Sequence, residues 1–551
     1  MATKEIEKIK VFALGGAGEI GKNMYVLETN NQIFIVEAGL MVPGDEMFGI
    51  DAVIPDISYL IENQNKIVGI FLTHGHPEQI GGLPYILKKL TAPVYGTKFT
   101  LGLVKEELKG NQIVEFHEVD QHQSIQFEEI SVSFFRTTHN IPDSIGIIFD
   151  TPQGAIVYTG DYKFDQTSIG LYGADLEKMA QIGRKGVLCL LSDSMNAEKP
   201  GYSGSESQVA SFLSEAFYQQ TGRIIIVSYA TNIQRLQNIV QAAKESKRKV
   251  VFVGKKLNES LEIAKELDYI HLPEETLVAW NDRSKLADHE VVMVASGYQG
   301  DPVSALSKLA KGTHKQIQIK QGDTVIVATA STPATEITIA KSIDLLYRAG
   351  VNVVYDKKID VAGHGYQEEI KLMLNLMNPK YLIPIHGEFR MQRAHAKVAE
   401  SLGMKTDQIF LVDKGEAIEF VNQEATYGNK VNTGNVLIDG LGVGDVGNIV
   451  LRDRRLLSQD GILVVVVTLS KDRNHLKAGP EIISRGFVYV RESEKLLVDA
   501  SDIVKGIIHK CIEDKDMDWS SIKVSIRDSL NQFLYEKTKR RPMILPIIME
   551  A

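Results

Sequence analysis

Residues of the kind that bind metal ions recur in this sequence where predicted strands end. His74 and His76 follow the apolar run "IVGIFLT", and side chains two positions apart in an extended segment point the same way. Four further residues occupy the same place after other predicted strands: His139, Asp161, His364 and His386. Because burying several unpaired imidazoles is unfavourable, their convergence in one layered fold predicts a metal site rather than separate structural residues.

The first two hundred residues predict a strand-rich α/β domain. β-branched or aromatic runs bounded by Gly, Asn, Pro or Asp follow one another: "KIKVFALG", "MYVLET", "QIFIVEAG", "IVGIFLT", "APVYGT", "ISVSFFRTT", "SIGIIFDT" and "GAIVYTG". From residue 206 onward, helical periodicity in segments such as "NIQRLQNIVQAAKESK" alternates with short apolar runs. That alternation is typical of a doubly wound unit.

The sequence predicts that the doubly wound unit is inserted into the first domain. Further histidines at strand ends after "VNVVYDK" indicate that the first domain resumes beyond the doubly wound unit. A Gly-rich stretch with few helix formers then predicts a connector into a last α/β unit with two amphipathic helices. The predicted boundaries are 1–205 and 348–430 for the first domain, 206–347 for the insertion, 431–450 for the linker and 451–551 for the C-terminal domain.

Charge and composition limit the possible partners. The net charge of −9, from 61 basic and 70 acidic residues, means that nucleic-acid binding must be local. Candidate basic clusters are 311–315, 452–455 and 537–541, although each is equally consistent with a solvated surface.

Only two cysteines are present, Cys189 and Cys511, so nitrogen and oxygen must hold any metal. No apolar run approaches the ~18 residues of a membrane span, and the first residues lack a secretory signal, so we expect a cytoplasmic location.

A glycine motif near the start has the spacing of a dinucleotide-binding site. Gly16, Gly18 and Gly21 follow a predicted strand, with Glu37 further on. That motif requires a helix after the glycines, so that the helix N-terminus can hold pyrophosphate. The segment "KNMYVLETN" is β-branched, aromatic and terminated by a turn, which predicts a hairpin instead.

An ordered series of segments resembles the ribonuclease J family. The segments are "THGHPEQIGGLPYIL", "TTHNIPDSIG", "YTGDYKFDQT", "LLSDSMNAEKPG", "YATNIQRLQ", "GYQGDPVSALSKLA", "GHGYQEE" and "PIHGEFRMQRAHA". A lone HxH pair is weak evidence, whereas this ordered series is specific and covers essentially the whole chain. The resemblance implies a metallo-β-lactamase αββα sandwich with an inserted β-CASP domain and a small α/β C-terminal domain used for oligomerisation.

The resemblance also implies two zinc positions, of which one is altered here. The histidines that hold the first zinc in the family are all present: His74, His76 and His139. In the second position, the resemblance makes Asp161 the bridging ligand and His386 the last ligand. Glu78 and Gln79 stand where the family has Asp and His.

The two changes at the second position differ in severity. Glu78 keeps a carboxylate on a longer arm, which binds only if its loop retreats, because ligand distances tolerate about 0.2 Å. Gln79 replaces an imidazole with a neutral amide, which zinc seldom accepts. We predict one filled Zn²⁺ site, with Mn²⁺ as the alternative ion for the weak position, and attenuated activity. Neutral drift around a working site is the competing interpretation.

The resemblance assigns RNA contacts as well. His364 is similar to the histidine that contacts the scissile phosphate, and the channel-lining run comprises Gly363, His364, Gly365, Tyr366 and Gln367. Glycines in such a run allow the backbone to approach phosphate closely. The expected catalytic residues are His364, Asp161 and His386.

Three other positions depart from the family pattern. "TNIQR" carries Gln234 where the family has histidine, and "TASTPATE" at 329–336 lacks the PG turn of the family's phosphate loop. The second change puts sensing of a 5′-monophosphate in doubt. Glu37 stands where the family usually has Asp, and its effect is open at the level of sequence.

Two functions remain open on the sequence alone. The first is a metal-dependent ribonuclease, a 5′-3′ exonuclease with a possible endonuclease activity, that acts weakly in rRNA maturation and mRNA decay. The second is an essentially non-catalytic RNA-binding subunit of an active paralogue, since the departures resemble the degenerate second ribonuclease J paralogue of Firmicutes. A small-molecule hydrolase is disfavoured by the insertion and the "GHG" element. The expected partners are single-stranded RNA and an active paralogue, in a homodimer or heterotetramer, without a membrane.

Overall fold

The computed structural model describes residues 8–44, 46–109, 113–168, 170–329, 331–332, 335–356, 358–359, 361–471, 475–489, 493–514 and 518–551. The chain forms two compact units. The first comprises residues 1–42 and 53–436, and the second comprises 43–52 and 437–551. Within the described ranges, no helix is both long enough and apolar enough to cross a membrane.

Two sheets face each other in the first unit. The eight-stranded sheet has the spatial order Glu424–Tyr427, Ala417–Val421, Ile9–Gly15, Met24–Glu28, Ile33–Val36, Ile67–Phe71, Val94–Gly96 and Phe116–Glu118. The six-stranded sheet has the order Pro379–Ile385, Val187–Asp193, Gly154–Tyr158, Ile145–Thr151, Ile130–Arg136 and Ser124–Phe127. Aromatic rings from both inner faces fill the space between them, including Phe34, Phe71, Phe134 and Phe149.

Helices cover the outer faces of this sandwich. Leu176–Lys185, Gln367–Met377 and Phe389–Ser401 pack on the outer face of the six-stranded sheet through residues such as Met179 and Ile370. The other helices of the same lobe are Ser58–Glu62, Pro77–Ile80, Leu83–Ile86 and Lys98–Leu108. The predicted αββα sandwich is therefore confirmed.

The glycine-rich segment near the start forms a hairpin, as predicted. Ile9–Gly15 pairs antiparallel with Met24–Glu28, and no helix follows the glycines. Gly16 has a φ of +83°, and a Cβ there would lie 2.1 Å from Oδ1 of Asn23. The glycine is needed for this turn and leaves no helix N-terminus for a dinucleotide.

The insertion is a doubly wound lobe, which is also confirmed. Its five parallel strands have the order Lys249–Val253, Val291–Ala295, Ile224–Val227, Thr324–Val327 and Asn352–Val354. The helix Glu206–Tyr218 precedes the first of these strands along the chain, and the helices that connect them are Ile233–Glu245, Lys255–Glu266, Pro302–Ala310 and Glu336–Arg348. Parallel strands need such crossovers, and burial on both faces explains their continuous apolar runs.

A buried ion pair joins the two ends of this insertion. Nε of Arg235 donates to Oε2 of Glu206 at 3.0 Å, and Nη2 contacts Oε1 at 2.5 Å. Nη1 of Arg235 donates to the carbonyls of Ala328 and Ile359. Because Glu206 begins the insertion and Ile359 follows its last strand, one guanidinium ties the entry and exit segments together.

The described part of the second unit contains a three-stranded sheet and three helices. The strand order is Leu476–Arg485, Ile462–Leu469 and Met543–Glu550, and the helices are Asn448–Asp460, Glu494–Glu513 and Trp519–Thr538. Leu463, Val465 and Val467 are buried in its core, whereas Val464 and Val466 point to the opposite face of the sheet. The two predicted amphipathic helices are the last two of the three.

Short elements complete the described chain. The remaining strands are Ala17–Gly18, which pairs with Gly387–Glu388, and Ala52–Pro55, Asn435–Asp439 and Gly442–Val443. Single 3₁₀ turns lie at Gln64–Lys66, Gly170–Tyr172, Glu274–Thr276, Trp280–Lys285, Asp288–Glu290, Tyr298–Gly300 and Thr406–Gln408. The domain boundaries given from the sequence stay predictions.

Candidate metal centre

The predicted ligand residues lie at the ends of strands from both facing sheets. The "HGH" segment follows Ile67–Phe71 of the eight-stranded sheet, while His139, Asp161 and His386 follow strands of the six-stranded sheet. Among the described residues, potential metal-ligand atoms form two groups. Within each group, all the ligand atoms lie within 4.8 Å of one another. The first group is His74, His76, His139 and Asp161, and the second is Asp161, Asp193, His364 and His386.

Three imidazoles of the first group crowd around one nitrogen. Nδ1 of His76 lies 3.0 Å from Nε2 of His74 and 3.2 Å from Nε2 of His139. Nδ1 of His139 lies 2.6 Å from the carbonyl oxygen of Gly363, which can only accept a hydrogen bond. Nδ1 of a neutral His139 ring therefore carries its proton, and Nε2 presents a lone pair.

The three crowded nitrogens fit a bound cation. Burial lowers the pKa of His76 and of His139 well below the ordinary histidine value, so both rings are neutral near neutral pH. Nδ1 of His76 can carry one proton, which it can donate to His74 or to His139 but not to both. A divalent ion accepts all three lone pairs at once, which is the donor set that zinc prefers.

Asp161 lies between the two groups and is bonded on both oxygens. Oδ1 accepts from Nδ1 of His386 at 2.7 Å, and Oδ2 accepts from Nε2 of Gln79 at 3.1 Å. Oδ2 is also 3.4 Å from Nε2 of His74. Burial alone lowers the pKa of His386, but the Asp161 carboxylate outweighs it and raises that pKa to about 9.

The two altered positions behave differently. Gln79 is buried and donates to Asp161, while its Oε1 finds no hydrogen-bond partner in the described part of the chain. The Glu78 carboxylate belongs to neither group of ligand atoms, although its backbone oxygen accepts from the amide of Asn23 at 3.0 Å. The Gln79 side chain therefore contacts Asp161 directly, whereas the Glu78 carboxylate interacts with His386 only through its charge.

Asp193 is a member of the second group that the sequence analysis did not single out. Its Oδ2 lies 2.7 Å from Nδ1 of His364, and its Oδ1 lies 3.9 Å from Nδ1 of His386. Burial lowers the pKa of His364, but the carboxylates of Asp193 and Asp161 outweigh it and raise that pKa. The available signal was its place at the end of the strand Val187–Asp193, the same place that the other ligand-type residues occupy.

Glu37, whose effect the sequence left open, lies directly behind the first group. It is fully buried and has a φ of +66°. Thr73 donates to it twice, from the hydroxyl to Oε1 at 2.5 Å and from the backbone amide to Oε2 at 3.2 Å. The same hydroxyl lies 2.9 Å from Nδ1 of His74, so Glu37 fixes the orientation of a ligand ring through Thr73.

The run 363–367 lies against both groups of ligand atoms. The ring of His364 is 5.3 Å from that of His139 and 5.4 Å from that of His386, between ring centres. The amide of Gly365 donates to the carbonyl of Tyr162 at 2.6 Å. Tyr366 lies beneath the Lys199 ammonium, and Gln367 donates to backbone oxygens at positions 197 and 199.

The structure thus brings six predicted site residues together: His74, His76, His139, Asp161, His364 and His386. The roles assigned to them and to the run 363–367 stay predictions. The phosphate loop predicted at 329–336 includes residues 330, 333 and 334, which lie outside the described residues.

Comparison with protein-family models finds four matches along the chain. The metallo-beta-lactamase superfamily matches residues 17–254, and the ribonuclease J beta-CASP domain matches 221–346. The Zn-dependent metallo-hydrolase RNA specificity domain matches 350–410, and the ribonuclease J C-terminal domain matches 449–551.

Two curated relatives align with the chain from end to end. Ribonuclease J2 of Bacillus subtilis is 53% identical over 555 residues, which cover 100% of each chain. Ribonuclease J 2 of Staphylococcus aureus is 47% identical over 551 residues, which cover 99% of each. A crystal structure of a protein of unknown function from Enterococcus faecalis has a TM-score of 0.53 at 17% identity, covers 75% of this chain and 100% of its own, and supports the fold alone.

Replacement of Gly363 by alanine tests the first group of ligands. A Cβ at this position would lie 2.6 Å from Cε1 and 2.8 Å from Nδ1 of His139, so Gly363→Ala must displace the ring or the loop. We expect the affinity for Zn²⁺ to fall about 10- to 100-fold, as for loss of other partners that orient metal ligands. Calorimetric titration of the metal-free protein measures this affinity.

The control is Gly506→Ala, in the helix Glu494–Glu513, where a Cβ meets nothing within 4 Å. It should leave Zn²⁺ affinity unchanged. Equal affinities in the two variants would contradict the claim that the loop at Gly363 supports His139.

Proposed function

The chain belongs to the ribonuclease J family, and from this premise we propose that it is a ribonuclease attenuated by a weakened second metal position. It hydrolyses single-stranded RNA from the 5′ end in rRNA maturation and mRNA decay, in the cytoplasm. The observation that carries the proposal is the contrast between the two groups of ligand atoms. The first group has three converging imidazoles. In the second group, the amide N–H of Gln79 donates a hydrogen bond to Asp161.

The Gln79 amide disfavours a second zinc ion for two reasons. Its N–H group takes a lone pair of Asp161 Oδ2 that a bridging ligand needs. Its oxygen, which is unpaired among the described residues, reaches a cation only after the amide rotates. An amide oxygen suits an oxygen-tolerant ion such as Mn²⁺ better than Zn²⁺, so we propose Zn²⁺ at the three histidines and Mn²⁺ at the weak position.

The residues of this chain supply the rest of the chemistry. When bound, the metal polarises water and the scissile phosphate. Asp193 holds Nδ1 of His364, which leaves Nε2 of this partly exposed ring for a phosphate oxygen. Since the neighbouring carboxylates favour the protonated ring, His364 donates a hydrogen bond to the phosphate and protonates the departing oxygen.

The first experiment measures degradation of a 5′-monophosphorylated single-stranded RNA by the purified chain with Zn²⁺ or Mn²⁺. We expect slow turnover that His76→Ala abolishes, because His76 contacts both other imidazoles of the first group. A matched control is His117→Ala, which removes a partly exposed histidine that pairs with Glu115 rather than with the metal ligands. Equal, background-level signals from the parent and His76→Ala would exclude hydrolysis and leave the chain an RNA-binding subunit.

Restoration of the family residues tests the attenuation directly. Glu78→Asp combined with Gln79→His replaces the amide by an imidazole and shortens the carboxylate arm. We expect the metal content to rise from about one to about two zinc ions per chain, with turnover about tenfold or more above the parent, because two ions stabilise both the attacking and the leaving oxygen. Elemental analysis beside the RNA assay measures both quantities.

A double variant that stays at one zinc and at the parent rate would contradict the proposed cause of attenuation. The single variant Glu78→Asp serves as its control. Because Glu78 lies outside both groups of ligand atoms, this change alone should leave the metal content at one.

The alternative function, a non-catalytic subunit, draws support from the second unit. One face of its three-stranded sheet packs on helices, and the other carries apolar side chains that are 37–47% exposed: Ile483, Leu545, Ile547 and Met549. Strand register places Leu545 and Ile483 on either side of Val464, so these side chains form a continuous apolar row. We propose that this face pairs with the same domain of a second copy or of an active paralogue.

Replacement of Ile547 by lysine tests that interface. Ile547→Lys places a charge in the open face, so we expect the parent dimer to dissociate into monomers in size-exclusion chromatography with light scattering. Val524→Lys, on the helix Trp519–Thr538 and 42% exposed, is the matched control and should remain dimeric. A dimer unaffected by Ile547→Lys would place the interface elsewhere.

A further inference from the structure

Glu369 is a buried carboxylate for which the proposed mechanism has no role so far. It is 1% exposed and lies in the first turn of the helix Gln367–Met377. Its Oε1 accepts from the amide of Phe164 at 2.9 Å and from the hydroxyl of Ser203 at 2.8 Å. Its Oε2 accepts from the amides of Ser203 and Tyr366, both at 2.8 Å.

These four hydrogen bonds join three separate segments of the first unit. Phe164 lies three residues after Asp161, and Tyr366 lies two residues after His364. Ser203 lies shortly before the helix Glu206–Tyr218, with which the inserted lobe begins. One side chain therefore connects the segment that carries Asp161, the loop that carries His364 and the entry into the insertion.

The connection to His364 is short and continuous. The amide of Tyr366 is bonded to Glu369, and the preceding amide, that of Gly365, is bonded to the carbonyl of Tyr162. The loop is thus connected to the segment that follows Asp161 at two points. Gly365 is bonded to Tyr162 directly, and Tyr366 is connected to Phe164 through Glu369. We therefore expect movement of Glu369 to shift the loop that carries His364 relative to Asp161.

Hydrogen-bond donors, rather than direct ion pairs, hold the carboxylate of Glu369. Within the described residues, no Lys or Arg forms an ion pair with it. The four donated hydrogen bonds engage both oxygens of the carboxylate. A carboxylate fixed in this way is rigid, because any rotation breaks at least two bonds.

We propose that Glu369 is a positioning residue for RNA hydrolysis, which sets His364 at a fixed distance from Asp161. The inference rests on the proposed function, since it assigns Glu369 a part in the step that His364 performs. Glu369 is buried and belongs to neither group of ligand atoms, so it acts through the loop at 363–367.

Replacement of Glu369 by glutamine removes this connection with little change in shape. Each carboxylate oxygen accepts from a backbone amide, so the new NH₂ group must oppose the amide of Phe164 at one end or those of Ser203 and Tyr366 at the other. At least one backbone donor thus loses its acceptor in either orientation. Glu368→Gln is the matched control, because Glu368 is the adjacent residue, is 40% exposed in its side chain and pairs with Lys371.

The experiment measures steady-state RNA hydrolysis and amide hydrogen exchange on the full chain. For Glu369→Gln we expect kcat to fall about 10- to 100-fold with KM changed by less than about threefold, since misplacement of a reacting group by about 1 Å has that effect. Exchange should accelerate in peptides 161–166 and 363–368 and stay at the parent rate in the helix Glu494–Glu513. Glu368→Gln should match the parent in both measurements.

Ser203→Ala keeps the inference testable if Glu369→Gln folds poorly. It removes one of the four donors and leaves the carboxylate in place, so kcat should fall by a smaller factor than in Glu369→Gln. Parent-like kcat in Glu369→Gln would overturn the positioning role. Accelerated exchange throughout the chain, with kcat lowered only in proportion to the folded fraction, would overturn it as well.

Failure of the proposed function gives a different result. In that case the parent shows no hydrolysis that depends on His76, whereas the exchange of peptides 161–166 and 363–368 still reports whether Glu369 holds the loop. Unchanged exchange in those peptides would overturn the inference even with an inactive parent.

Discussion

The buried carboxylate of Asp161 is the group on which the rest of the metal centre depends. One oxygen binds His386, and the other accepts from Gln79 close to His74. A buried carboxylate is stable only when cations or donors surround it, so the strand ends must bring such groups within reach. The facing sheets do this, because the ends of several strands meet at one edge of the sandwich. The fold therefore places imidazoles and a hydrogen-bond donor around one buried carboxylate.

Sequence reasoning recovers the residues whose signal is local and repeated. Each histidine of the first group follows an apolar run, and period-2 alternation places His74 and His76 on one side, so their convergence could be predicted. Asp193 was missed because it ends a buried strand as an ordinary polar residue would. The contact of Glu37 with Thr73 joins residues 36 positions apart, so nothing near Glu37 in the sequence indicates it.

For Glu369 and for the C-terminal sheet, too, the sequence does not indicate the contacts that the structure shows. A glutamate in the first turn of a helix fits the usual preference for acidic residues there, which conceals its bonds to Phe164 and Ser203. The run "GILVVVV" indicates a strand, but continuous apolar character does not tell which faces are covered. Only packing distinguishes the buried face of Leu463 and Val465 from the open face of Val464.

Under the proposed function, Gln79 lets the centre form without an ion at the second metal position. A histidine at this position would satisfy the Asp161 carboxylate only when the nitrogen that faces it carries a proton, and that nitrogen then has no lone pair for an ion. The Gln79 amide instead donates to that oxygen directly, so Asp161 stays bonded whether or not a second ion is present. The same bond occupies an oxygen of the residue that the proposed function makes the shared metal ligand. Under the proposed function, stability of the centre without a second ion and two-metal chemistry therefore make opposite demands on this residue.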